Sequence, residues 1–219
     1  MTEIYLARHP ESTLNTDRTL IDGRSNHVPI TNNGKRQALA FAKAYTREYP
    51  SPDIVFSSPA VRAQALIEAY LRHNNTQDKG YFIDDALQEM TQGVADGKPR
   101  AAIYTPKVIH RINEELFDFK LSEGESLNEV ADRMLTWMYE AEQKYPNAVL
   151  LVATHGQAIR AAVGRLLNWS HYDVTRNPAT TTPNVSLTHL TVQDAAITVN
   201  FVNKVIIEGR PADSADGVY

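Results

Sequence analysis

Three short apolar runs punctuate the chain, and each ends abruptly in polar residues. Ile4 to Ala7 stops at Arg8-His9-Pro10, Asp53-Ile54-Val55-Phe56 stops at Ser57-Ser58-Pro59, and Val149 to Ala153 stops at Thr154-His155-Gly156. A continuous apolar run of this length, bounded by turn residues, suits a strand covered on both faces within a parallel sheet. Ser186 to Val192 and Ala196 to Val202 alternate more loosely around Gln193-Asp194. That pattern predicts an antiparallel hairpin at a sheet edge.

Helical periodicity fills the intervals. Ala38, Phe41, Ala42, Tyr45 and Tyr49 share one helical face, and so do Leu127, Val130, Ala131, Met134, Met138 and Ala141. Ser126, with Glu129 three residues later, is a capping box ahead of the second stripe. Val61 to Leu71 and Ala158 to Leu167 also read as helices, each following a strand directly. Strand–helix alternation predicts an α/β fold: three layers, α/β/α, with a mostly parallel sheet covered by helices on both faces and the hairpin at its edge. With no internal repeat and no linker, one domain is expected over residues 1–209, followed by a flexible tail at 210–219. The segments 11–30, 74–100 and 168–185 read as long polar loops, and long loops in a compact domain are often functional.

Composition narrows the classes. The 219 residues carry 22 Lys and Arg against 26 Asp and Glu, a formal charge of −4, and are 42% apolar and 22% charged. That is an ordinary globular balance, and the length supports a substantial core. There is no cysteine, which excludes disulfides, thiolate nucleophiles and Cys-ligated metal. Mild acidity argues against a nucleic-acid partner. No apolar run approaches the ~20 residues of a membrane span, and the Met1 to Ala7 stretch does not read as a signal peptide. A cytoplasmic protein without a membrane partner is therefore expected.

The strand ends carry the chemistry. Arg8 and His9 close the first strand, His155 closes the third, and Arg62 lies one turn into the helix after the second. Open α/β sheets bind ligands outside the carboxyl ends of their strands. The fold alone can thus gather two histidines and two arginines. Guanidinium binds phosphate oxygens bidentately and keeps its charge. The helix opening at Gly156-Gln157 is expected to add free N–H groups and a positive dipole end. Phosphate is the natural counterpart.

These residues belong to a longer ordered set. Arg8-His9-Pro10-Glu11-Ser12-Thr13-Leu14-Asn15 resembles the Arg-His-Gly-Glu-(Ser/Thr)-x-x-Asn opening of the histidine phosphatase superfamily, in its phosphoglycerate-mutase-like branch. Pro29-Ile30-Thr31-Asn32-Asn33-Gly34 with Gln37-Ala38 resembles its next helix entry, and Ser57-Ser58 with Arg62-Ala63 its following segment. Leu87-Gln88-Glu89, Gly124-Glu125-Ser126, Thr154-His155-Gly156 and Asn184 with Ser186 continue the match in order. One residue departs from the pattern: Pro10 stands where the family has glycine, and proline lacks an N–H and fixes its own φ.

The resemblance implies a metal-independent phosphatase that needs no cofactor and hydrolyses a small phosphorylated substrate through a phosphohistidine. It makes His9 the nucleophile and Glu89 the general acid. Arg8, Arg62, His155 and Asn15 become the phosphate pocket, with Gly156 and Gln157 beside them. A mutase sharing the same intermediate is the alternative, and a non-catalytic phospho-ligand module, favoured only by Pro10, is a third reading. Arg24 and Arg100 fall in polar segments expected to rim the site and are candidate substrate contacts. Glu125 reads as a solvated carboxylate beside a helix N-terminus. His27, His73, His110, His171 and His189 match no motif and read as structural or surface residues, although His27 lies in a segment that can face the pocket.

Overall fold

The structure, a computed structural model, describes residues 1–207. The tail expected at 210–219 lies outside the described residues. Among those described, six strands form one sheet: β1 (Thr2–Arg8), β2 (Ile54–Ser57), β3 (Phe82–Ile83), β4 (Val149–Thr154), β5 (Ser186–Gln193) and β6 (Ala196–Val205). Their order is β3-β2-β4-β1-β5-β6. The pairs from β3 through β1 are parallel, whereas β5 runs antiparallel to both β1 and β6. Among the described residues seven α-helices accompany them: α1 (Asn32–Glu48), α2 (Val61–His73), α3 (Arg100–Ile103), α4 (Pro106–Glu115), α5 (Leu127–Lys144), α6 (Gly156–Leu166) and α7 (His171–Thr175).

The expected three layers are present, and the period-2 alternation of the strands builds them. Ile4, Leu6, Leu150 and Val152 point to one face and pack with Val130, Met134 and Met138 of α5 and Ala158 and Ala162 of α6. Tyr5, Ala7, Leu151 and Ala153 point to the other and meet Phe41 and Tyr45 of α1 and Leu66 and Ile67 of α2. Both faces are thus sealed, which is why these strands read as unbroken apolar runs. Truncating a fully buried Leu66 or Phe41 to alanine removes ~2–5 kcal/mol.

The connections leaving β1 and β4 part company. From β1 the chain passes through the 11–30 segment to α1 on one face; from β4 it enters α6 on the other. Adjacent parallel strands whose connections diverge leave a crevice at their carboxyl ends. The 11–30 segment is tied down around that crevice. Glu11 accepts from Thr31 Oγ1 at 2.5 Å and Asn33 Nδ2 at 3.1 Å, while its N–H donates to Gln37 Oε1 at 2.8 Å. A Cβ at Gly34 would stand 2.2 Å from the Glu11 carbonyl oxygen, so only glycine lets α1 start this close to that segment.

Two expectations are corrected. The 74–100 and 168–185 segments are not wholly loop: the first contains β3 and the second contains α7. Among the described residues no helix is long and apolar enough to cross a membrane.

Candidate functional site

The sheet register sets the two histidines side by side. Arg8 pairs with Thr154 across β1 and β4, so the next residue on each strand, His9 and His155, leaves the sheet at the same level. Their ring centroids lie 5.1 Å apart. The His9 N–H donates to Thr154 O at 2.9 Å, and the His9 carbonyl accepts from Asn184 Nδ2 at 2.9 Å. His9 Nδ1 lies 2.7 Å from the Pro10 carbonyl oxygen. A carbonyl can only accept, so Nδ1 carries the proton and Nε2 keeps its lone pair. Burial, then the charges of Arg62 and Arg8, hold the His9 pKa well below its usual value, opposed by the Pro10 hydrogen bond. The ring is neutral at physiological pH.

His155 is fully buried at the N-cap of α6. Its Nε2 lies 2.7 Å from Ser58 Oγ, and its Nδ1 is buried with no hydrogen-bond partner. Burial, then Arg62 and His9, lower its pKa well below the ordinary range. Ser58 arrives because Ser57 pairs with Ala153, one step before the end of β4.

Arg8 and Arg62 are both almost completely buried. Backbone carbonyls fix their forks. Arg8 Nη1 donates to Thr182 O, and Arg62 donates from Nη1 to Ser25 O at 2.6 Å and from Nη2 to Gly23 O at 3.4 Å. Two guanidiniums beside two neutral imidazoles make a pocket of net positive charge.

Glu89 lies on the segment between β3 and α3. Its Oε1 accepts from Met90 N at 2.8 Å and Ala158 N at 3.0 Å, and its Oε2 accepts from Gln157 N at 3.1 Å. The carboxylate thus occupies the anion position at the α6 N-terminus. Burial pushes its pKa up, against the hydrogen bonds from Met90 and Gln157 and the charges of Arg62 and Arg8. The free N–H groups expected at Gly156-Gln157 for phosphate are therefore corrected for Gln157: its N–H is directed to Glu89. The Gln157 side chain still lines the cleft and donates to Val174 O at 3.3 Å.

Arg8, His9, Asn15, Arg62, Glu89, Arg100 and Gln157 all line one cleft that is open to solvent. Asn15 takes part through its amide, which accepts from Ser12 N at 3.1 Å and donates to Asp22 Oδ2 at 2.8 Å. Arg100 is anchored by Nε to Leu20 O at 3.0 Å. Arg24 does not line the cleft. Its Nη2 pairs with Glu125 Oε2 at 2.7 Å because its chain runs behind the Glu89 segment. Glu125 is likewise no solvated carboxylate: it also bonds Arg133 at 2.8 and 3.1 Å. Burial opposes ionisation of Glu125, yet the Arg133 hydrogen bond and the charges of Arg133 and Arg24 leave its pKa below the usual range. His27 is exposed and away from the cleft.

Sequence reasoning assigned no role to Asp22, Gln92, Met90 and Tyr104, which line the same cleft. Burial pushes the Tyr104 hydroxyl up to about 12, so it stays protonated as a donor. The signal for Asp22 was the Asp22-Gly23 turn dipeptide inside a polar segment. Tyr104 gave none, because its position depends on segments 19–21 and 97–100 pairing through Ile21 N to Lys98 O at 2.9 Å and Gly97 N to Ile21 O at 2.7 Å.

A doubly covered α/β sheet that gathers two imidazoles, two buried guanidiniums and a carboxylate beyond its strand ends has the architecture and the charge of an anion-binding α/β protein. The sequence comparison carries this to a family: residues 4–205 match the histidine phosphatase superfamily (branch 1), and the chain belongs to it. It is 29% identical over 167 residues to the uncharacterized phosphatase PhoE of Bacillus subtilis, covering 74% of this chain and 75% of that one. Phosphoserine phosphatase 1 of Hydrogenobacter thermophilus is 26% identical over 172 residues, 76% and 77% of the two chains. The probable phosphoglycerate mutase GpmB of Cronobacter sakazakii is 25% identical over 174 residues, 78% of each. Among solved structures, the Entamoeba histolytica phosphoserine phosphatase superposes with a TM-score of 0.77 at 19% identity, covering 93% of this chain and 97% of that one.

Proposed function

We propose that this chain is a phosphomonoesterase that acts through a phosphohistidine on His9. The observation that carries the reading is the Pro10 carbonyl on His9 Nδ1, which leaves a neutral, lone-pair-bearing Nε2 in a cleft with two buried guanidiniums. In the first step Nε2 attacks phosphorus and the P–O bond to the leaving group breaks. Arg8 and Arg62 stabilise the charge on the phosphoryl oxygens, where electrostatics contributes most. With Ser58 donating to Nε2 of His155, Nδ1 of that ring carries the proton and has no partner in the protein, which leaves it as the donor His155 would offer the same oxygens. Protonated Glu89 gives its proton to the departing oxygen; its raised pKa suits that role. In the second step the Glu89 carboxylate takes a proton from water, which attacks phosphorus. The P–N bond breaks, and phosphate and free His9 are released. The substrate is a small phosphorylated metabolite, in keeping with the phosphoserine and 3-phosphoglyceric acid bound in structures of the Entamoeba relative, and the enzyme works in the cytoplasm.

The similarity to GpmB supports a second reading, a mutase that returns the phosphoryl group to product instead of water. Two measurements decide. Rapid mixing with substrate and an alkaline quench should trap acid-labile phosphate on the wild-type protein and none on His9→Ala. That variant should lose turnover but keep its circular dichroism, since His9 lies at a strand end. Near-normal phosphatase activity in His9→Ala would overturn the nucleophile. Transfer to an acceptor alcohol without release of inorganic phosphate would favour the mutase.

A further inference from the structure

Three charged side chains meet behind the segment that carries Glu89. Glu125 lies just ahead of α5, Arg133 lies on α5, and Arg24 comes from the 11–30 segment. Arg133 grips Glu125 with two bonds, from Nε to Oε1 at 2.8 Å and from Nη2 to Oε2 at 3.1 Å. Arg24 Nη2 reaches the same Oε2 at 2.7 Å. Each arginine then spends a further donor on a backbone carbonyl of the Glu89 segment. Arg133 Nη1 donates to Ala86 O at 2.8 Å, and Arg24 Nε donates to Glu89 O at 3.0 Å. Glu125 adds two bonds of its own: its N–H donates to Thr91 O at 2.9 Å, and its Oε2 accepts from Thr91 N at 3.2 Å.

Four of these bonds end on the main chain of residues 86–91. That segment has few apolar anchors, Leu87 and Met90 being its only buried hydrophobic side chains. Its main chain is held from behind by the charged triad, while the Glu89 carboxylate is held in front by the α6 N-terminus. A purely stabilising ion pair would not need to end on the carbonyl of the candidate acid itself. We infer that Arg24, Glu125 and Arg133 form a positioning clamp that fixes the main chain at 86–91, so that the Glu89 carboxyl is presented to the leaving oxygen. The inference rests on the general-acid role proposed for Glu89. It makes Glu125 and Arg24 positioning residues that act through Glu89, without touching substrate.

The test compares an alkyl phosphate, whose leaving oxygen needs a proton, with a nitrophenyl phosphate, whose leaving oxygen needs little help. Glu125→Gln removes the charge that both arginines share and leaves one acceptor oxygen, so at least one arginine N–H faces an NH₂. Displacement of a catalytic group by ~1 Å costs up to ~100-fold, so kcat on the alkyl ester should fall by ~10–100-fold. KM should stay within ~2-fold, and first-step phosphorylation by the nitrophenyl ester should stay within ~3-fold. Burst amplitude counts active sites, which separates misfolding from mispositioning. Arg24→Gln, on a partly exposed side chain, should repeat the pattern more mildly. Combined with Glu89→Gln, the Glu125→Gln change should cost almost nothing more on the alkyl ester. Equal losses on both leaving groups, or losses that multiply in the double variant, would overturn the clamp. If Glu89→Gln shows the leaving-group dependence and Glu125→Gln does not, the clamp fails and the acid stands. If Glu89→Gln itself shows none, the acid fails and the clamp falls with it.

Discussion

Replacing Glu89 by glutamine separates proton transfer from charge and shape. All three groups that bond the Glu89 carboxylate are N–H donors: Met90 and Ala158 on Oε1, Gln157 on Oε2. A glutamine can turn its carbonyl toward the first two, but its NH₂ then faces the Gln157 N–H, donor against donor. One hydrogen bond is lost and one buried donor goes unmet, so the variant should lose ~1–3 kcal/mol of stability. A domain with ~5–15 kcal/mol to spare remains folded. The kinetic effect is larger and selective. Loss of general acid catalysis should slow alkyl phosphate turnover by ~10²–10⁴-fold, equivalent to ~2.7–5.4 kcal/mol on the barrier. The nitrophenyl ester should still phosphorylate His9 at near the wild-type rate. Water attack on the phosphoenzyme also needs Glu89, so hydrolysis should then limit, and stopped flow should record a nitrophenolate burst of about one per active site. Equal slowing of the first step for both esters would refute the reasoning and reduce Glu89 to a cap on α6.

Vanadate or tungstate should inhibit in competition with substrate, and a phosphate-soaked crystal should hold the ion ~2.7–3.2 Å from the Arg8 and Arg62 side chains; non-competitive inhibition would count against this cleft. Activity should persist in excess chelator, since the two guanidiniums supply the positive charge; loss restored by an added divalent cation would refute this. Stability should fall on acidification below about pH 6.5, where unfolded histidine takes up a proton that buried His9 and His155, with lowered pKa values, do not. The slope is at most ~1.4 kcal/mol per pH unit for each ring, and the raised pKa of Glu89 acts oppositely above about pH 4.5; urea melts from pH 7.5 to 5.5 check the sign.

Where the chain is buried on two faces, its pattern was readable. The β1, β2 and β4 runs and the stripes of α1, α2, α5 and α6 lie within a residue or a few of where periodicity put them, because each stripe has one sealed face to fill. The hairpin of β5 and β6 followed from looser alternation at an edge. β3 escaped because it has two residues, both exposed, and owes its pairing to Phe56 and Ser57 on β2. α4 buries only Ile112, too little for a stripe, although Thr105 with Pro106 is a good N-cap and first-turn pair that could have marked it. In α7 the signal was the reciprocal Ser170–Asp173 cap on a helix too short for periodicity.

The candidate site divides along a different line. Side chains delivered by strand ends were legible, since the register of β1 and β4 carries His9 and His155 together whatever surrounds them. What fixes those side chains was not legible, because it is largely main chain. Arg8 is held by the carbonyl of Thr182, Arg62 by those of Ser25 and Gly23, and His9 by that of Pro10. A carbonyl has no residue identity, so no motif records it. The same fact accounts for the one departure from the family pattern. Position 10 supplies a carbonyl to His9 Nδ1, and proline retains its carbonyl while giving up only its N–H. The restriction that proline places on the preceding residue favours extended backbone, which is what a residue continuing β1 already needs. Pro10 therefore removes nothing from the ring geometry that sets the tautomer of His9. The non-catalytic reading thus draws no support from the contact between position 10 and His9 Nδ1.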